Sequence, residues 1–238
     1  MFSAEAVRLA AIEVLSPTAA NLAGSGFPTL AGKNVFDSRA APLNAIDEER
    51  DYTPVIAAFT REAQTAPRGE ASDHYDHEVK TVLEFVVELA SVSRDDDGDY
   101  VDAIAENDPR ARMRLAALVA QIRWVLYHSE AGVLFRRLVI RTERIEEESH
   151  AVPEFGLRFQ RVFLRLHLVI AQDAFSDDGG LPEPARSLAS ELPAQSYAKS
   201  MLDELAASFA GQSRTPISSF HAVIGRDGID IETGANDD

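Results

Sequence analysis

A chain of 238 residues with an ordinary apolar share and 26% charged side chains is long enough to bury a sizeable core, which excludes disorder throughout and fibrous repeats. It contains no cysteine, so disulfides, thiolate-bound zinc, iron–sulfur clusters and thiol nucleophiles are excluded together. The formal net charge of −16 argues against a general nucleic-acid binder, whose affinity rests on Lys and Arg neutralising phosphates. The same charge suits plain solubility or an acidic channel past which DNA slides without sticking.

Residues 3–15 read as a helix that Ser3 caps, with Leu9, Ile12 and Leu15 at helical spacing and Ser16-Pro17 as the stop. Glu5 and Arg8 interrupt this run, and nothing in the chain approaches the roughly 18 apolar residues of a membrane span. The expectation is a cytoplasmic protein with no membrane contact. Residues 16–33, with Gly24, Gly26, Pro28 and Gly32, read as a loop, and Val35-Phe36 opens a first strand over 34–39. A second strand covers 55–60, and the polar stretch 61–73 with Pro67 and Gly69 reads as a mobile loop.

The clearest strand spans 78–91. Val79, Thr81, Leu83, Phe85, Val87 and Leu89 fall on one face, while Glu78, Lys80, Glu84 and Glu88 fall on the other, a period of two that no helix keeps. Val82 and Val86 interrupt the polar face, which predicts that it too is partly covered. Asp95 to Asp99 reads as a turn, and Asp108-Pro109 starts a helix over 109–126 with a capping carboxylate and a first-turn proline; its stripe is Leu115, Leu118, Ile122 and Val125, with Trp124 nearby. Residues 131–142 continue as helix before crossing into strand. The Arg- and acid-rich segment Arg141 to Glu148 reads as a solvated loop before a strand over 157–170, in which Val162, Leu164, Leu166, Leu168 and Ile170 alternate with Arg161, Phe163, Arg165, His167 and Val169. Beyond it, Pro182, Pro184 and Pro193 punctuate the chain before a helix over 196–210 and short strands at 222–224 and 229–231.

Residues 34–60, with Asn-Val-Phe-Asp-Ser-Arg-Ala-Ala-Pro-Leu followed by Asp-Tyr-Thr-Pro-Val-Ile-Ala-Ala-Phe-Thr behind an Ala-rich helix, resemble the tail-terminator (tail-completion) proteins of long-tailed bacteriophages. The Arg-plus-acid run before a final alternating strand is similar to the ending of that family, so the likeness covers about residues 1–172. The resemblance implies a structural virion protein, not an enzyme, that closes as a hexameric ring on the end of the tail tube, stops its growth and presents the surface for head joining. Implied partners are further copies of the chain, the tail-tube protein, a head–tail connector or head-completion protein, and DNA passing through the lumen without specific binding. Its location would be the virion tail, assembled in the host cytoplasm. A head–tail connector or tail-tube subunit is the first alternative, and a cytoplasmic hydrolase using acidic or histidine clusters the second.

The chemistry in the residues is sparse. His74, Asp76 and His77 have the composition of a metal site, but two histidines three apart on an extended segment point to opposite faces, so a polar strand entrance is expected. Asp95 to Asp99 lacks the glycine and glutamate register of a calcium loop. Gly32-Lys33 lacks the upstream glycine of a phosphate loop, with Phe27 in its place, and precedes a strand. Glu146, Glu147 and Glu148 lack the apolar surroundings that would separate their pKa values. No catalytic, cofactor or metal site is therefore expected. Arg141, Arg144, Glu146, Glu147 and Glu148 are the candidate subunit interface, since opposite charges across a polar rim fix register, and Asp95, Asp96, Asp97 and Asp99 are the candidate lumen lining. The expected fold is α+β: a small, mainly antiparallel sheet packed by helices over 1–172, with a C-terminal extension over 173–238.

Overall fold

The computed structural model describes residues 1–67, 69, 77–95, 98–104, 109–152, 157–176, 179–209, 219–225 and 228–234. The fold is α+β, a mixed and mostly antiparallel six-stranded sheet packed by helices. Helix α1 (Phe2–Leu15) is followed by α2 (Thr18–Ala23), strand β1 (Val35–Asp37), a 3-10 turn (Leu43–Ala45), and strands β2 (Thr53–Pro67), β3 (His77–Asp95) and β4 (Gly98–Ala103). Then come helices α3 (Pro109–Tyr127) and α4 (Val133–Arg136), strands β5 (Val139–Val152) and β6 (Leu157–Ile170), helices α5 (Ala185–Glu191) and α6 (Tyr197–Phe209), and a separate hairpin of β7 (Ser219–Gly225) and β8 (Gly228–Gly234).

The sheet order is β1-β2-β3-β6-β5, with β1 parallel to β2 and the remaining pairs antiparallel. Strand β3 carries the sheet because its alternation is unbroken: Val79, Thr81, Leu83, Phe85, Val87 and Leu89 are all buried, facing α1 and α3 in one continuous core. Its far end changes partner. Glu88 pairs with Arg161 of β6, whereas Ala90 pairs with Ala103 of β4. The handover is made by Ile104, whose N–H donates to the Leu89 carbonyl and whose carbonyl accepts from the Gln160 N–H.

Helix α1 is buried nearly all round, with Ala4, Ala6, Ala10 and Ala11 letting the sheet and the other helices approach closely. The expected cap is not the one found. Ser3 lies inside the helix and is buried; the first-turn N–H groups of Phe2 and Ser3 donate instead to Asp173 at 2.9 and 2.6 Å, a carboxylate placed where the helix dipole favours it. That contact begins the region expected to be an extension. Within it, Leu188 and Leu192 around α5 and Ala198 and Leu202 on α6 pack in the same core as α1 and β3.

Several loop expectations are corrected. Residues 61–67 continue β2, pairing with β3 from Glu62↔Val82 to Pro67↔His77 after a register shift at Thr60/Glu62; they are polar because these β2 residues are all exposed, not because they are unpaired. Within 16–33 the short α2 forms, closed by Gly24 at φ 67, a left-handed cap that glycine adopts without strain. The Asp95 to Asp99 turn is narrower than expected, since Asp95 ends β3 and Asp99 lies in β4; Asp96 and Asp97 lie outside the described residues, as does the Asp108 cap. Residues 131–142 hold only the one-turn α4 before β5 begins.

Candidate functional site

The α-helices occupy one face of the sheet, and the other is covered in two different ways. Over β1, β2 and the far end of β3 a small second core forms, in which Phe36, Ala41, Ile46, Val55, Ala57 and Ala90 are buried beneath the β1–β2 connection. Over β3, β6 and β5 the covering is ionic. Glu84 and Glu88 are 5% and 6% exposed, buried not by a helix but by arginines of neighbouring strands. Arg165, opposite Glu84 in the ladder, donates Nε to Glu84 at 2.7 Å and Nη1 to Glu148 of β5 at 2.6 Å; Arg61 of β2 reaches Glu84 at 3.0 Å. Arg161 joins Glu88 at 2.7 Å to Asp102 of β4 at 2.9 Å. Between these rungs Phe163 lies under the Arg165 guanidinium, 5.5 Å from it. Cross-strand opposite charges of this kind fix which residues face one another.

The segment expected as a charged loop is therefore strand β5, at the edge of the sheet. Its ladder with β6 carries register shifts at Val139/Arg141, Thr142/Arg144 and Ser149/Ala151. The candidate interface residues find partners within the chain: Arg141 donates to Glu78 and Glu143, each at 3.0 Å, and Arg144 lies 3.2 Å from Glu146. The acidic run also divides. Glu146 and Glu148 meet His167 and Arg165, while Glu147 turns to the helical side and accepts from Arg123 of α3 at 3.1 Å. The run is not one carboxylate cluster, because a strand sends neighbours to opposite faces. Of the candidate lumen residues, Asp99 is exposed on β4 and Asp95 closes β3. His77 opens β3, whereas His74 and Asp76 lie outside the described residues.

Two carboxylates of this face are shifted by the groups that donate to them. The hydrogen bond from His167 holds Glu146 below the usual glutamate range, and bonds from Lys80 and Arg141 do the same for Glu143. A depressed carboxylate contributes stability that is full at neutral pH and is lost as pH falls through its folded-state pKa. Both groups are exposed, so the effect is local: amide exchange protection along β5, corrected for the intrinsic rate, is expected to fall below about pH 4 while that of α3 holds. Unchanged β5 protection down to about pH 3 would show that these bonds do not secure the edge.

Asp37 shows why the Val-Phe-Asp-Ser-Arg segment reads as it does. Its carboxylate lies 2.7 Å from Arg8 Nε of α1 and accepts from Tyr197 of α6 at 3.0 Å and from the Ser38 hydroxyl at 2.9 Å, so β1 is tied to the first and last helices of the core. Burial, then the Asp37 charge, pushes the Tyr197 phenol up, which keeps it a donor. Ser38 takes φ 52, the left-handed region that a small polar residue tolerates best. A cleft of about 300 Å³ opens beside this group, lined by Glu13, Lys33, Arg39 and Tyr197 among others.

Sequence reasoning missed one surface, the outer face of α3. The helix carries Arg110, Arg112, Arg114 and Arg123 and no acidic residue, and its outward line holds Met113 and Trp124, 70% and 59% exposed. The arginine spacing was the available signal. No protein-family model matches the chain, and no curated protein matches it in sequence. Among the described residues no helix is long and apolar enough to cross a membrane.

Proposed function

We propose that the chain is a ring-forming structural subunit of a long-tailed bacteriophage that caps the tail tube in the manner of tail-terminator proteins. The observation that carries the reading is the order of elements: an Ala-rich helix, the Val-Phe-Asp-Ser-Arg strand, a long hairpin, a helix, and a closing pair of charged and alternating strands, the order that the sequence resemblance implies. The arrangement supports it in a second way. With the α-helices on one face, the ionic face, the β5 edge and the exposed end of the β2–β3 hairpin are left for neighbours, and a closed ring uses complementary surfaces that would otherwise build open filaments.

In this reading the mechanism is geometric and no bond is made or broken. The ring ends tube growth and offers its outer surface to the head-completion or connector protein. The exposed hairpin end, residues 61–67, is a contact with the tube, and the acidic residues around Asp95 to Asp99 line a lumen that repels passing phosphate.

The test is electron microscopy of tail tubes incubated with the purified protein. Ring-shaped particles at tube ends, with no further elongation when tube subunits are added, are the expected result. Long tubes formed by this protein alone would instead make it a tube subunit.

A further inference from the structure

The outer face of α3 has the composition of a protein-binding surface rather than of a solvated helix. Met113, Ala117, Ala120 and Trp124 recur at helical spacing and all are exposed, so the top of the helix is an apolar line of about three turns. Arginines flank it. Arg112 donates to Ser149 and Arg123 to Glu147, both on β5, and Arg114 on the opposite flank donates to the Tyr52 hydroxyl at 2.7 Å. Trp, Met and Arg are the residues enriched at the centres of protein interfaces, where a desolvated aromatic anchor ringed by polar groups carries most of the energy.

The charge carried by α3 itself is opposite to that of the molecule, although Arg123 is met by Glu147 of β5. The chain as a whole is at −16, yet α3 holds four arginines and no carboxylate. An acidic stretch is present on the same chain, on the Arg114 side of α3 and away from the β5 edge. The β1–β2 connection carries Asp47, Glu48, Glu49 and Asp51 with only Arg50 among them; Asp47 is taken up by Arg50 at 2.8 Å, while Glu48, Glu49 and Asp51 are exposed. This connection serves β1 and β2, at the end of the sheet order opposite β5.

We infer that the outer face of α3 docks on the acidic 47–51 segment of a second copy of this chain. The contact joins two different surfaces, so it is head to tail and closes into a ring when the rotation between copies allows it. It rests on the ring reading above and centres that ring's interface on the apolar line of α3, in place of Arg141 and Arg144.

Trp124 is the chain's single tryptophan, so its emission reports on this face alone. The experiment follows sedimentation velocity and tryptophan emission together over a concentration series at low and high salt. The expected result is self-association accompanied by a blue shift of the emission, both weakened by salt as the rim charges are screened. Arg112→Glu combined with Arg123→Glu is expected to weaken association roughly tenfold or more, and mixing that variant with a Glu48→Arg, Glu49→Arg copy to restore it. Met113→Gln, which changes no charge, provides a second variant should the double reversal disturb folding.

Association with unshifted emission would overturn the inference, as would a blue shift that appears only when tail tubes are added, which would make the tube protein the occupant. Failure of the charge-swapped pair to associate would remove the 47–51 segment as the complement and overturn the pairing. A chain that stays monomeric at every concentration, with emission unchanged, also overturns it. If rings are nonetheless seen at tube ends, the tail-capping reading survives with another interface; if neither appears, both fail.

Discussion

A chain ended at residue 172 is expected to fail to fold, whereas one ended at residue 209 is expected to fold cooperatively. The shorter chain keeps the whole sheet together with α1 and α3, yet it loses Leu188, Leu192 and Leu202, all buried against them. A buried leucine removed singly costs about 2–5 kcal/mol, and a domain of this size has only about 5–15 kcal/mol to lose. The shorter chain also loses Asp173, so the first turn of α1 is left without its acceptor, a loss of about 1 kcal/mol more. Polar ties go as well, since Ser196 donates to Glu13 at 2.7 Å and Tyr197 to Asp37. Far-UV circular dichroism and the sharpness of thermal unfolding decide between the outcomes. A stable, cooperative 1–172 fragment would show that α5 and α6 merely decorate a finished core. Leu202→Ala in the full chain is the milder form of the same test, expected to lower the melting temperature by roughly 2–4 °C for each kcal/mol lost.

Replacing Glu84 with alanine is expected to destabilise the protein by about 2–3 kcal/mol, an unusually large effect for a residue of the polar face of a sheet. The cause is the arginine left behind. Arg165 is itself largely covered and aims Nε at Glu84, so its remaining bond to Glu148 leaves part of the guanidinium without an acceptor. Arg61 is half exposed and returns to water, so its share of the loss is small. Glu84→Gln keeps an acceptor oxygen and is expected to cost less. The paired change Glu84→Leu with Arg165→Met, which removes both charges and fills their volume, is expected to lie within about 1 kcal/mol of the parent. Urea unfolding of the three variants and the parent measures this directly. If the single and paired variants are equally unstable, the loss belongs to packing and not to the stranded charge.

The parts of the fold that could be read in the sequence are those governed by apolar period. Strand β3 over 79–89, strand β6 over 162–170 and helix α3 keep a mainly apolar face, and the structure buries those faces. Strand β5 could not be read this way. Its residues Arg141 to Glu148 alternate in charge more than in polarity, and what makes them a strand is a set of partners on β3, β6 and α3 that the local sequence does not contain. The same is true of residues 61–67, held by their ladder to β3, and of the α1 cap, supplied by Asp173 from far along the chain. Helix α2 was legible in principle, since Pro17 and Gly24 bracket it. The ionic face was half legible: Glu84, Glu88, Arg161 and Arg165 stood out as polar members of alternating strands, but their mutual burial depends on strand order, which alternation does not specify.

The register shifts of β5 bear on how this molecule avoids its own copies. A long edge strand with a regular row of free N–H and carbonyl groups would template the next chain backbone to backbone, and so on without limit. Three shifts within 14 residues interrupt that row, and the charged side chains beside them resist dehydration. A neighbour approaching this edge finds no continuous ladder to extend, so any specific contact there has to be made by side chains, which recognise one arrangement and then stop.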